Sequence, residues 1–205
     1  MILGFDTETT GLPNFHEPSD DPNQPHLMQL AAILYDMEGR EVHRLSTLVK
    51  PGEGAVLHPK AFEAHGISLE RARDEGADPV ATAREFEQMA AQAKLIVGHN
   101  ISFDVRIFRI HAARHLGFKW EKPAPTFCTM WSSNKFTRIP ATPAMRAAGR
   151  FHYKTPNLME AHQHFFNEGF EGAHDALADV SASMRIFWHL VRDRGVPMYR
   201  PEKAA

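Results

Sequence analysis

The stretch Ile2-Leu3-Gly4-Phe5-Asp6-Thr7-Glu8-Thr9-Thr10-Gly11 reads as an apolar strand that carries two carboxylates one residue apart and runs into a glycine-containing turn. Side chains on a strand alternate faces, so Asp6 and Glu8 point one way while Phe5 and Thr7 point the other. Two like charges side by side on a core strand repel, and burial makes each costlier. A cation offsets that cost, and hard carboxylate oxygens suit Mg²⁺ or Mn²⁺. The alternative is an acidic pair on an exposed edge strand, which calls for no cation.

Working outward, residues 13–26 hold Pro13, Pro18, Pro22 and Pro25 among Asn and Asp, which predicts a loop. Leu27 to Tyr35 predicts a second strand, Asp36 to Arg40 a turn, and Val42 to Val49 a third strand, together an antiparallel meander. Residues 51–77 form a connection with a short helix around Lys60 to His65. Asp78-Pro79 starts a helix, the Asp capping and the Pro at the first helical position, with Val80, Ala83, Phe86, Met89 and Ala93 as its apolar face. Leu95-Ile96-Val97-Gly98 is a short buried strand of the kind found at parallel or central positions.

Ser102 to Leu116 follows as a helix with Phe103, Ile107, Ile110 and Arg114 along one face, and Thr126 to Met130 as a further short strand. Residues 131–155 read as irregular and basic. A helix near Asn157 to Phe166 precedes the last one, Asp175 to Arg194, which buries Leu177, Val180, Met184, Phe187 and Val191. Strands first, then mixed helix and strand, predict an α/β fold: three layers around a mixed sheet, three strands in an antiparallel meander and shorter parallel strands after them. No repeat, heptad run or linker divides the chain, so residues 1–205 are expected to form one domain.

The 43% hydrophobic content of 205 residues supports a sizeable core, and the single cysteine, Cys128, excludes a disulfide framework or a cysteine-rich zinc site. No apolar run reaches the roughly 18 residues needed to cross a bilayer, and no basic leader or cleavable apolar stretch precedes the first strand. A cytoplasmic protein without membrane partners is the expectation. The net charge of −2 with 13 histidines does not announce a nucleic-acid binder, but a local acidic metal site masks any basic face in that total.

Two more carboxylates stand out. Asp104 lies just inside a helix that follows a buried strand, where it either complements the helix dipole or sits at the carboxyl end of a sheet as a functional group. Asp179 sits mid-helix beside apolar neighbours and gains nothing from capping, unlike Asp175 at the helix start. His174 immediately precedes that helix on a loop, either as a solvated surface residue or as an imidazole suited to general-base work near neutral pH.

Together these segments resemble the DnaQ-like 3′→5′ exonucleases in their histidine-bearing (DEDDh) branch. The matching blocks are Phe5-Asp6-Thr7-Glu8-Thr9-Thr10-Gly11-Leu12, Val97-Gly98-His99-Asn100-Ile101-Ser102-Phe103-Asp104 and His174-Asp175-Ala176-Leu177-Ala178-Asp179, in family order over residues 5–179. The resemblance implies a ribonuclease H-like three-layer α/β/α fold and two divalent cations, Mg²⁺ or Mn²⁺. It implies Asp6 as the carboxylate bridging them, Glu8 and Asp179 as further ligands, Asp104 supporting the second metal, and His174 as general base. Thr9, Thr10, Gly11, Leu12 and His65 would hold the terminal nucleotide, with Phe103 beside them. Asn100 would orient the segment around Asp104, although a turn role explains it equally well.

The implied reaction is phosphodiester hydrolysis at the 3′ end of DNA, single-stranded or frayed, releasing nucleoside 5′-monophosphates. An RNA-directed enzyme of the same family is the alternative, and Thr9-Thr10-Gly11 looks more like the DNA-proofreading side. A non-catalytic polymerase-associated subunit is a second alternative, one that needs none of the five residues. The short Pro201-Glu202-Lys203-Ala204-Ala205 end favours a free-standing enzyme over one tethered to a polymerase. Lys135, Arg138, Arg146, Arg150 and Lys154, interleaved with Trp131, Phe136, Phe151 and Tyr153, either track a phosphate backbone and stack on bases or form an ordinary solvated loop.

Overall fold

The computed structural model describes residues 1–199. The opening stretch forms β1 (Ile2–Thr9), which pairs antiparallel with β2 (Leu27–Tyr35); β2 pairs antiparallel with β3 (Glu41–Leu48). On its other side β1 pairs in parallel with β4 (Leu95–Gly98), and β4 in parallel with β5 (Thr126–Cys128). The sheet order is β3-β2-β1-β4-β5, the mixed sheet expected from sequence.

Alternation along β1 sorts the layers. Leu3 and Phe5 join one core with Phe86 of α3 (Pro79–Ala91) and Phe108 of α4 (Ser102–Leu116). Ile2 joins the opposite core with Val180 and Phe187 of α8 (Ala176–Arg192), against which α5 (Thr129–Thr137) and α7 (Leu158–Phe166) also pack. Gly4 lies on that second face, where an added Cβ would meet Met184 Cγ and Sδ at 2.7 Å. Its missing side chain lets α8 approach β1 closely, which brings the start of α8 to the end of the strand.

The parallel ladder between β1 and β4 ends at Gly4↔Val97, so Asp6 and Glu8 lie on the part of β1 that runs past β4. The β1–β2 register shifts between Glu8 and Thr9, a bulge where the strand leaves the sheet. Short elements then frame this end: α1 (Pro59–His65) and α2 (Leu69–Glu75), with α6 (Pro143–Ala147) farther along the chain.

Several expectations are corrected. The helix α2 was not expected; Ser68 caps it, its hydroxyl accepting from Arg71 N–H at 3.0 Å. Residues 131–155 are not irregular, because α5 and α6 occupy them and an antiparallel bridge joins Ile139 to Lys154. Thr129 and Met130 belong to α5, which shortens the strand predicted there. Val80 is exposed; the buried face of α3 is Thr82, Ala83, Phe86, Met89 and Ala90. Arg114 is half-buried on α4 because its guanidinium donates to the Gln24 and Pro25 carbonyls, tying the proline-rich loop down. Pro201 to Ala205, on which the expectation of a free-standing enzyme rested, lie outside the described residues. Among the described residues no helix is long and apolar enough to cross a membrane.

Candidate active site

Four carboxylates and a histidine meet where β1 runs past the end of its ladder with β4. Asp6 and Glu8 share the face of β1 that looks toward α8. Asp179 lies in the first turn of α8, four residues after the cap Asp175, whose carboxylate accepts from the Leu177 and Ala178 N–H groups. Potential ligand atoms of Glu8, Asp179 and His174 all lie within 4.8 Å of one another. His174 is exposed and has a positive φ of 67°, a conformation less costly for His, Asn and Asp than for most residues. Its backbone N–H donates to Asp179 Oδ2 at 3.3 Å.

Asp104 approaches from the opposite layer. It is 2% exposed on the first turn of α4, and its Oδ1 accepts from both the N–H (3.0 Å) and the hydroxyl (2.8 Å) of Thr7. The residue between the two strand carboxylates thus braces the third, a role its sequence position gave no hint of. Gln29 was also missed. It sits opposite Glu8 on β2, is buried, donates to Asp175 Oδ2 at 2.9 Å and accepts from Ala176 N–H at 3.1 Å. Its amide therefore links β2 to the start of α8.

Burial, reinforced by mutual repulsion, dominates the electrostatics. Burial first, then Asp104, Asp179 and Glu8, push the Asp6 carboxyl well above its ordinary range. Glu8 is pushed up to about 8 by burial and then by Asp179 and Asp104. Burial takes Asp104 to about 7 against the pull of the Thr7 hydrogen bonds, and Asp179 to about 6 against the pull of His174. Asp179 Oδ1 is buried with no hydrogen-bond partner. An all-oxygen donor set, self-repelling and holding an orphaned carboxylate oxygen, fits hard divalent cations such as Mg²⁺ or Mn²⁺.

Beside Glu8 opens a cavity of ≈ 410 Å³ lined by Thr9, Gly11, Leu12, His65 and Phe103 of the predicted substrate set, and by His58, Lys60, Ala61 and Ala64 from α1 and its cap. Leu12 is 86% exposed at its edge, an apolar side chain with nothing of its own to pack on. His65 is held at both ring nitrogens. Ile67 N–H donates to Nδ1, so Nε2 carries the proton and donates to the Thr9 carbonyl at 3.0 Å, and burial keeps the ring neutral by lowering its pKa.

Two predicted substrate residues lie elsewhere. The Thr10 side chain is buried and accepts from His26 N–H. Asn100 is exposed at φ 65°, its carboxamide oxygen near the Ser102 hydroxyl, which fits the turn role. Neither lines the cavity. The α1 contributors, His58 and Lys60, were missed because nothing in 51–77 marks which part of that connection folds back on Thr9 and Thr10.

Comparison with known proteins gives a consistent picture. Residues 3–187 match the sequence profile of the RNase T exonuclease family. Among curated proteins, 129 residues align at 27% identity with the PolC-type DNA polymerase III of Thermotoga petrophila, and likewise of Thermotoga maritima, covering 60% of this chain and 8% of either polymerase. Among solved structures, E. coli exonuclease I in complex with a dT13 oligonucleotide superimposes with a TM-score of 0.69 at 20% identity, over 94% of this chain and 42% of that one. Exonuclease I from Methylocaldum szegediense gives 0.68 at 23% identity, over 94% and 40%. The chain therefore spans about two fifths of these exonucleases, and the likeness in structure is one of fold. With a family match running from β1 into α8 on a ribonuclease H-like mixed sheet, this chain belongs to the DnaQ-like exonucleases of the RNase T family.

Proposed function

We propose that the protein is a metal-dependent 3′→5′ exonuclease that removes nucleoside 5′-monophosphates from the 3′ end of single-stranded or frayed DNA. The observation that carries the reading is the clustering of Asp6, Glu8, Asp104, Asp179 and His174, with Glu8 also lining a cavity of ≈ 410 Å³ beside them. When bound, two divalent cations supply positive charge for the phosphate and for the departing oxygen. Asp6, Glu8 and Asp179 would hold them, with Asp104 completing the set from α4.

The chain's own groups then do the following. Leu12 and Phe103 cover the faces of the terminal base, and His65, fixed by its two backbone hydrogen bonds, forms a rigid wall behind it. His174 takes a proton from water as the water oxygen bonds to phosphorus. The bond from phosphorus to the 3′-oxygen of the preceding nucleotide breaks in line, and that oxygen takes a proton from solvent. His174 suits the task because it is exposed on a loop beside Glu8 and Asp179, free to give its proton back to bulk water.

DNA is favoured over RNA because the fold relatives include an exonuclease seen with oligothymidylate and because Thr9-Thr10-Gly11 has the DNA-proofreading pattern. The test is degradation of matched single-stranded DNA, duplex, mismatched duplex and RNA in Mg²⁺, Mn²⁺ and chelator. Metal-dependent release of 5′-mononucleotides from the DNA strand, absent in Asp6→Ala and Asp179→Ala, is expected. Faster trimming of RNA would replace DNA as the substrate, and no nuclease activity with either metal would overturn the reading.

A further inference from the structure

Residues 122–159 contain no Asp or Glu but include Lys122, Lys135, Arg138, Arg146, Arg150 and Lys154, in a chain whose net charge is −2. Lys154 is paired with Glu160. Lys135, Arg138, Arg146 and Arg150 have no carboxylate partner among the described residues. Three aromatic side chains of this stretch are left in solvent: Trp131 at 58%, Tyr153 at 49% and Phe151 at 77% exposure. Trp131, Tyr153, Lys135, Arg138 and Asn134 line one open groove of ≈ 570 Å³.

The groove is a fixed structure. One wall is α5, which carries Trp131, Asn134 and Lys135 and ends on Arg138, whose Nε–H donates to the Lys135 carbonyl at 3.2 Å. The other wall is the segment that returns through Tyr153, joined to the first where Lys154 N–H donates to the Ile139 carbonyl at 2.9 Å. His99 fastens both walls to the end of β4. Its Nε2–H donates to the Pro156 carbonyl at 3.0 Å, and its Nδ1 lies 3.0 Å from the Thr129 hydroxyl at the start of α5. The groove therefore belongs to the carboxyl end of the sheet, as the carboxylates do. The terminal cavity is walled by α1, which is tied to Thr9 and Thr10, and the groove by α5, which leaves from β5 on the other side of β1 in the sheet order.

Aromatic faces set among unpaired cations match the chemistry of unpaired bases on a phosphate backbone, and a duplex hides the base faces such a groove offers. We propose that this groove binds the single-stranded nucleotides that precede the 3′ terminus. Trp131 and Tyr153 stack on bases, and Lys135 and Arg138 contact phosphates. The proposal rests on the exonuclease reading only for its direction along the strand; the ligand class follows from the groove itself.

The test is equilibrium binding of 5′-fluorescein-labelled dT12 and of oligouridylate of the same length by the whole chain in EDTA, where no metal-dependent hydrolysis occurs. Trp131→Ala and Tyr153→Ala should each weaken binding of dT12 by about 5- to 150-fold, the range of one base–aromatic stack, while Trp131→Phe keeps most of the affinity. Stacking and phosphate contacts are common to both sugars, so the same losses are expected with oligouridylate. The double variant Lys135→Ala/Arg138→Ala should flatten the dependence of log K on log salt by about 1.4. These side chains are at the surface, so melting temperatures should stay at that of the unsubstituted chain.

Affinities within two-fold of the unsubstituted chain in all three alanine variants would overturn the groove, as would blunt duplex binding as tight as dT12. Release of mononucleotide from dT12 in Mg²⁺ is measured alongside. Release without any effect of the groove variants on affinity removes the groove alone. Groove-dependent affinity without release removes the exonuclease reading and leaves the single-strand site standing.

Discussion

At the residue scale, function hangs on which oxygen and nitrogen atoms stay unengaged. Asp104 gives one oxygen to Thr7 and keeps the other, whereas His65 gives both ring nitrogens to the backbone and is not free to shuttle protons. His174 keeps its ring exposed, and only its backbone N–H is used, toward Asp179. His174→Ala should therefore lower turnover by about 10²–10⁴-fold, the usual contribution of a general base, while calorimetric binding of Mn²⁺ survives. Near-normal turnover would take the imidazole out of the mechanism. The carboxylates were legible in sequence because alternation along an apolar strand dictates that Asp6 and Glu8 share a face. Thr7 and Gln29 were not, since a buried threonine and a strand glutamine look alike whether or not their polar atoms meet a partner 97 or 147 residues away.

At the scale of elements, the site is an agreement between β1 and the start of α8. Gly4 permits the close approach, and Gln29 ties the helix start to the sheet through Asp175 and Ala176. Removing that amide leaves the carboxylates and His174 in place chemically but frees the segment that positions His174 and Asp179 against Glu8. Gln29→Ala should lower kcat by about 10- to 100-fold, the cost of a displacement near 1 Å, with KM for dT12 within two-fold. A drop in melting temperature with kcat unchanged would reduce Gln29 to a structural role. Helix starts were legible where a cap led a long apolar periodic run, as at Asp78-Pro79, but not at Ser68 or Thr142-Pro143, whose short helices bury at most Ala72. The helix α5 was not, because Thr129 to Thr137 has no side-chain cap and few apolar residues, and it takes shape only by packing on α7 and α8.

For the whole molecule, two groups of titrating side chains act in opposite directions with pH. The site carboxyls have pKa values raised by folding, with Glu8 near 8, Asp104 near 7 and Asp179 near 6. Between about pH 8 and their unfolded values the native state binds more protons, so stability falls as pH rises through that range. His26 and His111 are buried and His99 partly so, and burial lowers their pKa values to about 4, 3 and 4 respectively. Below about pH 6.5 the unfolded chain takes up protons that these rings refuse, so their contribution is lost as pH falls toward 4. In chelator the melting temperature should therefore be higher at pH 6.5 than at pH 8.5, where the carboxyl repulsion is largest. Saturating Mg²⁺ should add stability that grows with pH over the same interval, because it binds the ionised carboxylates of the folded state alone. A chelated protein that melts higher at pH 8.5 would contradict the repulsion assigned to the site.

The sequence by itself determined the meander, the parallel strands after it, the helices that start at Asp78, Asn157 and Asp175, and the face that Asp6 and Glu8 share. Those features follow from local rules: side-chain period, proline and cap chemistry, and the cost of bare like charges on a core strand. Tertiary structure alone decided that Thr7 holds Asp104, that Gln29 holds the start of α8, that α1 walls the cavity and that Thr10 and Asn100 stand outside it. It alone turned a basic, aromatic stretch into a groove, because His99 joins residues 129 and 156 across a gap that no local pattern spans.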